Sequence, residues 1–258
     1  MSILAALTAL SFGQTYQEPP APIPEILDAK RSPAVLFSPD NEWMIELERP
    51  ELPPIAELAE PILRLAGMKL NPETWSPARS VTYTGARIRR LDARSEGRDL
   101  ELPPGAKLGN ASWSTTGKHL AVTNKTDEGL ELWVIAFPSG ETTRLLGPVL
   151  NATYGSPCRW MDGESLVCKV RTGAEAPPEP SRVPLGPAIE ENLGSRRPAR
   201  TYTNLLATPY DEALFAHYMT SEIHRVSLSG AQTKLLEADL HTSVSPSPDG
   251  AYLLSSRM

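Results

Sequence analysis

The chain has 258 residues, 40% of them hydrophobic and 22% charged, and carries a formal net charge of −6. That length suits one large β domain or two ordinary ones. With no strong basic patch, the charge argues against a nucleic-acid partner held through phosphate contacts, and no apolar run reaches the ~18 residues of a membrane-spanning helix, so no membrane partner is expected.

Taken in order, Met1 to Gln14 carries an apolar run from Ile3 to Phe12. Ser11-Phe12-Gly13 sets small residues at the −3 and −1 positions of a signal-peptidase cut after Gly13. Residues 1–13 therefore read as a cleaved leader and imply a periplasmic or secreted protein, although the stretch lacks Lys or Arg before the run. An apolar N-terminal strand, or a mis-chosen start, is the alternative. Residues 14–33 form a Pro-rich arm, because prolines block helix and sheet interior alike. The arm is expected to run extended over a surface, with at most one short turn of helix.

Ala34 to Leu47 reads as a hairpin around Ser38-Pro-Asp-Asn41, where Pro at the second position and Asp and Asn after it suit a tight turn. In Leu52 to Gly67, Ile55, Leu58, Ala59 and Ile62 fall at helical spacing, with Pro53-Pro54 to open the helix and Pro61 to end it. This predicts a short helical insertion at the edge of the first sheet. Arg79 to Leu91, bent near Gly85, and Arg98 to Leu102 supply the third and fourth strands.

Residues 108–147 are the clearest stretch. Short segments rich in β-branched and aromatic residues, bounded by Gly, Pro, Ser and Asp, read as strands. Leu120 and Val122 share one face of the second. Leu130, Leu132, Val134 and Ala136 line one face of the third, and Trp133, Ile135 and Phe137 the other. A strand apolar on both faces must be covered on both faces. A four-stranded sheet stacked between two similar sheets provides that cover, and this is the pattern of a propeller blade.

The next blade begins at Ser156 to Trp160, turns at Asp162-Gly163 and returns through Arg171. It is interrupted by Thr172 to Arg200, with six prolines and three glycines, which reads as loop. Thr201 to Leu214 has room for a short helix. Phe215 to Leu228 then reads as a strand, and Gln232 to Leu236 closes the blade. Val244-Ser-Pro-Ser-Pro-Asp-Gly250 and Ala251 to Ser256 open another. The turn points Asp40, Thr116, Asp162 and Asp249 are separated by 76, 46 and 87 residues, and the two long separations hold the two insertions.

The fold class is therefore all-β: a partial, open β-propeller over residues 34–258. It has about three four-stranded blades (34–103, 108–147, 156–237) and the start of a fourth (242–258). Propellers close with four to eight blades, so the sequence is expected to be the front part of a longer protein. Cys158 and Cys168 flank the Asp162-Gly163 hairpin and would face each other. Two buried thiols are the favoured reading, and an oxidised pair in an exported protein is the alternative.

Several segments resemble bacterial and plastid glutamyl endopeptidase-like members of the prolyl oligopeptidase family. They are the arm Tyr16-Gln-Glu-Pro-Pro20 and Leu52-Pro-Pro-Ile-Ala-Glu-Leu-Ala-Glu-Pro61 with Leu63-Arg-Leu-Ala-Gly67. Leu102-Pro-Pro-Gly-Ala-Lys107 before Ser112-Trp-Ser114, and Tyr210-Asp-Glu-Ala-Leu-Phe215, match as well. The resemblance covers about residues 16 to 258. It implies a seven-bladed propeller that covers the active site of a C-terminal α/β-hydrolase domain and restricts the access of peptides. That domain carries a Ser, Asp and His triad, and the members most similar here are implied to cut after glutamate. This chain holds no such domain, so the implied partners are that missing domain and peptide substrates.

No catalytic, metal or cofactor site is read in the chain itself. The nearest approach to a Gly-x-Ser-x-Gly nucleophile elbow, Gly163-Glu-Ser165-Leu-Val167, lacks the last glycine and opens a strand, so Ser165 reads as structural. His119, His217, His224 and His241 lack metal-ligand spacing and read as edge or surface residues. Asp40, Asp162 and Asp249 read as turn formers. Trp113, Trp133 and Trp160 are expected between blades. Asn110, Asn124 and Asn151 begin sequons that matter only outside bacteria. The function expected is the propeller portion of a serine peptidase, gating peptides and inactive alone. The alternative is a stand-alone TolB-like propeller that binds protein partners.

Overall fold

The computed structural model describes residues 19–50, 52–92, 96–172, 176–181, 183, 186, 194 and 203–258. The expected leader lies outside the described residues. The arm contributes one turn of helix, α1 (Ile23–Leu27), and no further regular structure among the described residues.

The first blade holds β1 (Ala34–Phe37), β2 (Trp43–Glu48), β6 (Gly85–Arg90) and β7 (Arg98–Asp99), antiparallel in the order β1-β2-β6-β7. Between β2 and β6 sits an insertion. It was expected to be helical, but only α2 (Ile55–Leu58) is helix. The remainder forms a three-stranded sheet of β3 (Leu63–Leu65), β4 (Met68–Asn71) and β5 (Ser76–Pro77). Pro61 denies the helix a backbone donor. Ala66 and Gly67, both at positive φ, then turn the chain back into a hairpin.

The second blade is β8 (Leu108–Trp113), β9 (His119–Thr126), β10 (Gly129–Ala136) and β11 (Thr142–Leu150). The third is β12 (Cys158–Trp160), β13 (Ser165–Arg171), β14 (Ser221–Ser227) and β15 (Gln232–Asp239). The two are not separate sheets, because Leu150 at the end of β11 pairs with Val170 of β13 and makes them continuous. Between β13 and β14 lies α3 (Pro209–Met219). The sequence reading had the strand begin at Phe215, but helix runs on to Met219. Thr208 and Asp211 explain this: each side chain caps the other's backbone N–H, a capping box that starts a helix with Pro at its first position. A two-stranded sheet of β16 (His241–Pro246) and β17 (Leu253–Arg257) follows.

Apolar alternation stacks these sheets as the sequence implies. Ile45, Leu47 and Ile88 of the first blade bury against Leu108, Leu120, Val122 and Ile135 of the second. On its other side the second blade gives Ala121, Leu130, Leu132 and Val134 to a core shared with Leu166, Cys168 and Val226 of the third. Val167 and Ile223 then meet Val244. Trp160 reaches across to donate its indole N–H to the Ser112 carbonyl at 2.9 Å. Trp113 packs at 4.5 Å from Phe137, and Phe137 in turn lies 5.9 Å from Trp43. The fold is a partial, open propeller with three interblade cores.

The four turn points line up across the blades. Ser38 bonds Asp40 and accepts from the Trp43 N–H; Ser247 bonds Asp249 and accepts from the Tyr252 N–H. In the second blade Ser114 accepts from the His119 N–H. In the third, Asp162 accepts from the Glu164 N–H and the Ser165 hydroxyl. Each turn rests on the next. A Cβ added to Gly117 would stand 2.9 Å from the Asp40 carboxylate, one on Gly163 would stand 2.7 Å from the Thr116 methyl, and one on Gly250 would stand 3.0 Å from the Met161 carbonyl.

Candidate functional site

The residues with catalytic chemistry are scattered and already engaged. Ser165 is 2% exposed, donates to Asp162 at 2.8 Å and accepts from Arg225 at 3.0 Å, so its hydroxyl is a structural link. Asp40, Asp162 and Asp249 act as turn formers. Hydrogen bonds hold Asp40 and Asp249 below the usual carboxylate range, led by those from Ser38 and Ser247. Burial works to raise Asp162, and the donors around it outweigh that.

The histidines are less exposed than the sequence reading had them. His241 is 2% exposed, because its ring closes the β16–β17 hairpin between the Ser255 hydroxyl at 2.8 Å and the Glu237 carbonyl at 3.0 Å. A Ser–His pair oriented by a carbonyl, with no carboxylate behind it, is not a nucleophile–base arrangement. His119 lies beside Trp160 at 6.3 Å, and burial pushes its imidazole below the ordinary value. His217 packs on Trp75 at 5.2 Å, and His224 contacts Glu222 at 2.8 Å. Among the described residues no group of three metal-ligating side chains converges. Asn124 and Asn151 are buried and bonded to Glu131 and to the Tyr218 carbonyl, so neither is open to a glycan.

What the fold does assemble is a cap. The insertions of the first and third blades both leave between the second and third strands of their blade. They pack together as one core of Leu65, Leu70 and Trp75 with Leu214, Phe215, Tyr218 and Met219. Trp75 lies 5.1 Å from Tyr218, and its carbonyl accepts from the Ala152 N–H at 2.9 Å. Asn151 and Thr153 fasten α3 by bonding the Tyr218 carbonyl.

An ion pair ties the same insertion to the second blade. Lys125, buried at the end of β9, bonds Glu60, which also accepts from Asn71 at 3.0 Å and faces Lys107 at 3.9 Å. Burial works to raise the Glu60 carboxyl. The Lys125 bond and charge, with Asn71 and Lys107, outweigh it and hold the group below its ordinary value. One blade on, Arg171 at the end of β13 donates to the Glu128 carbonyl at 3.2 Å. A cation at the end of the second strand thus grips the loop of the preceding blade in both places. Sequence reasoning missed this latch; Lys125 sits between Asn124 and Thr126 in the polar half of β9, where a charged residue gives no signal of burial.

Cys158 and Cys168 are a register pair on β12 and β13 with Cα atoms 4.2 Å apart, and they form a disulfide. The favoured reading of two thiols is overturned.

No family model matches the chain. Two curated relatives share the name "Probable glutamyl endopeptidase, chloroplastic". The one from Oryza sativa subsp. japonica is 34% identical over 256 residues, covering 93% of this chain and 27% of the relative. The one from Arabidopsis thaliana is 32% identical over 276 residues, covering 100% of this chain and 29% of the relative. Among solved structures, the AtxE2 isopeptidase aligns with a TM-score of 0.31 and 13% identity over 55% of this chain and 21% of its own. A structure assigned as TolB from Agrobacterium tumefaciens aligns with a TM-score of 0.36 and 14% identity over 88% of this chain and 71% of its own. The chain spans less than a third of the length of the curated relatives it matches. In sequence the chain is similar to these two glutamyl endopeptidases over nearly all of its length, and its sheets form a partial, open propeller.

Proposed function

We propose that these blades form part of a serine peptidase of the prolyl oligopeptidase family, and that they screen peptides from a hydrolase domain carried elsewhere in the same polypeptide. The observation that carries this reading is the match to glutamyl endopeptidases over 93–100% of this chain but only 27–29% of theirs. The described residues supply stacked sheets and a cap built from two insertions, elements suited to screening. The arm and the two insertions are the elements proposed to face that domain. An oxidising compartment, exported or organellar, is proposed from the Cys158–Cys168 bond and the leader-like N-terminus.

The test is the full-length gene product. The coding DNA past Met258 should encode a Gly-x-Ser-x-Gly hydrolase, and deleting residues 34–258 from the whole enzyme should raise cleavage of long peptides relative to short ones. A downstream frame without a hydrolase, or a length preference unchanged by the deletion, overturns the reading. Stable binding of a separate protein by the 258-residue chain alone would favour the stand-alone binding module.

A further inference from the structure

The arm, the exit of β2 and the exit of β5 enclose a groove of about 370 Å3. Arg31 comes from the arm, Arg49 from the end of β2 and Arg79 from the segment after β5, so three arginines from three parts of the chain line one space. Among the described residues Glu57 is the single carboxylate in the lining, and Leu58 and Tyr83 give it an apolar wall.

These arginines are not committed to the fold. Among the described residues Arg31 and Arg49 have no ion-pair or hydrogen-bond partner, while elsewhere Arg89 holds Glu46 at 2.8 Å, Arg144 holds Glu131 at 2.9 Å and Arg225 holds Asp162 at 3.0 Å. Arg79 makes one long contact, 3.4 Å to the Leu58 carbonyl, which leaves most of its donors unused. Its backbone sits at φ +55°, a conformation rare for a non-glycine residue. Backbone outliers of this kind cluster where a side chain must be aimed.

A guanidinium presents a planar fork of donors that matches a carboxylate in bidentate fashion. Three of them against one Glu57, in a chain of net charge −6, make a local field that favours an anion. The shape adds a second constraint. A cavity of about 730 Å3 adjoins the groove and shares Arg31, Arg49 and Pro50 with it, running on past Asp28, Glu46 and Glu48 and past Lys30 and Arg87. The trough is therefore cationic at one end and mixed in charge along its length. A compact ion would fill only the first part; an extended peptide fills both.

We infer that this trough binds an extended peptide, with a carboxylate of the peptide seated among Arg31, Arg49 and Arg79. The site needs no hydrolase domain. It can be tested on the 258-residue chain, so its failure and that of the peptidase reading are distinguishable.

The experiment is fluorescence anisotropy of the 258-residue chain with three labelled octapeptides. One carries glutamate and an amidated terminus, one a free C-terminal carboxylate and no acidic side chain, and one is amidated and neutral. At least one carboxylate peptide should bind tenfold or more tightly than the neutral one, with affinity falling as salt rises. Whichever binds identifies the carboxylate as side chain or chain terminus. Arg49→Ala with Arg79→Ala should weaken binding tenfold or more, Arg49→Lys should fall between, and Glu57→Gln should tighten it. The glutamine variant guards against a folding artefact, since a damaged site does not gain affinity. Equal binding of the neutral peptide, no binding of either carboxylate peptide, or indifference to both the arginine and the Glu57 changes overturns the site.

Discussion

Lys169 carries its ammonium into the junction between the third blade and β16. It is 5% exposed, donates to the Tyr154 carbonyl at 2.9 Å and the Thr242 carbonyl at 3.4 Å, and sits 5.9 Å above the Tyr154 ring. Burial first, and then the like charge of Arg159, push its pKa from 10.5 down to about 8. The folded group therefore gives up its proton before the unfolded one does. Between those two values the unfolded chain binds more protons, so this lysine makes stability rise with pH across that window and contributes nothing of the kind below it. The full swing is on the order of 3 kcal/mol. Lys169→Met removes that slope. Urea unfolding of both proteins from pH 7 to pH 10 should show the wild type gaining on the variant, and parallel curves would refute the buried-cation account. At Gly117 the constraint is steric. It sits at φ +70° with the Asp40 carboxylate where a side chain would begin. Gly117→Ala should cost about 1–2 kcal/mol for the left-handed backbone alone, with further loss from separating two turns, read as a drop in the urea midpoint at unchanged slope.

At the scale of the element, the cap turns on one carboxylate. Glu60 is held below its ordinary pKa by Lys125, Asn71 and Lys107 against the opposing effect of burial. A carboxyl depressed in the fold contributes stability that is present above its unfolded pKa and is lost as pH falls through the folded one. Glu60→Gln should therefore lower the thermal midpoint at pH 7 and show a flatter decline into acid than the wild type. An acid limb equally steep in both proteins would mean that the latch is not what acid breaks. How far such elements can be read from sequence depends on where the deciding force lies. The two-faced apolar pattern of β10 is local, so the cover on both faces was legible, as were the Asp and Ser turns. The insertion was legible only in part: the short helix at Ile55–Leu58 follows the apolar spacing, whereas the hairpin after Pro61 depends on the positive φ at Ala66 and Gly67, which no spacing announces. In α3, Leu214, Phe215, Tyr218 and Met219 are buried. Their run into Ile223 mimics a long apolar strand, and the signal that separates them is the Thr208–Asp211 capping box upstream. The Glu60–Lys125 pair joins residues 65 positions apart, and no spacing rule reaches that far.

At the scale of the whole molecule, the arc of blades has two ends that differ from its middle. Inside the arc the apolar faces of neighbouring blades bury one another in three interblade cores. At the first blade Phe37 is 57% exposed, and on β17 Leu254 is 70% exposed with Tyr252 beside it at 75%. Among the described residues β17 pairs only with β16, which leaves its outer edge without a strand partner there. Apolar side chains next to an open strand edge favour pairing with another chain. Both ends belong to the same polypeptide, so two copies can meet first blade to β17 and continue into open assemblies instead of a closed dimer. The 258-residue chain should therefore sediment as a concentration-dependent series. Phe37→Lys with Leu254→Lys should return it to monomer by placing charge on both faces, without disturbing any of the three interblade cores. Each residue alone should reduce assembly, since a heterologous contact needs both partners. A wild-type chain that stays monomeric across the accessible concentration range would show instead that these faces are screened within the molecule.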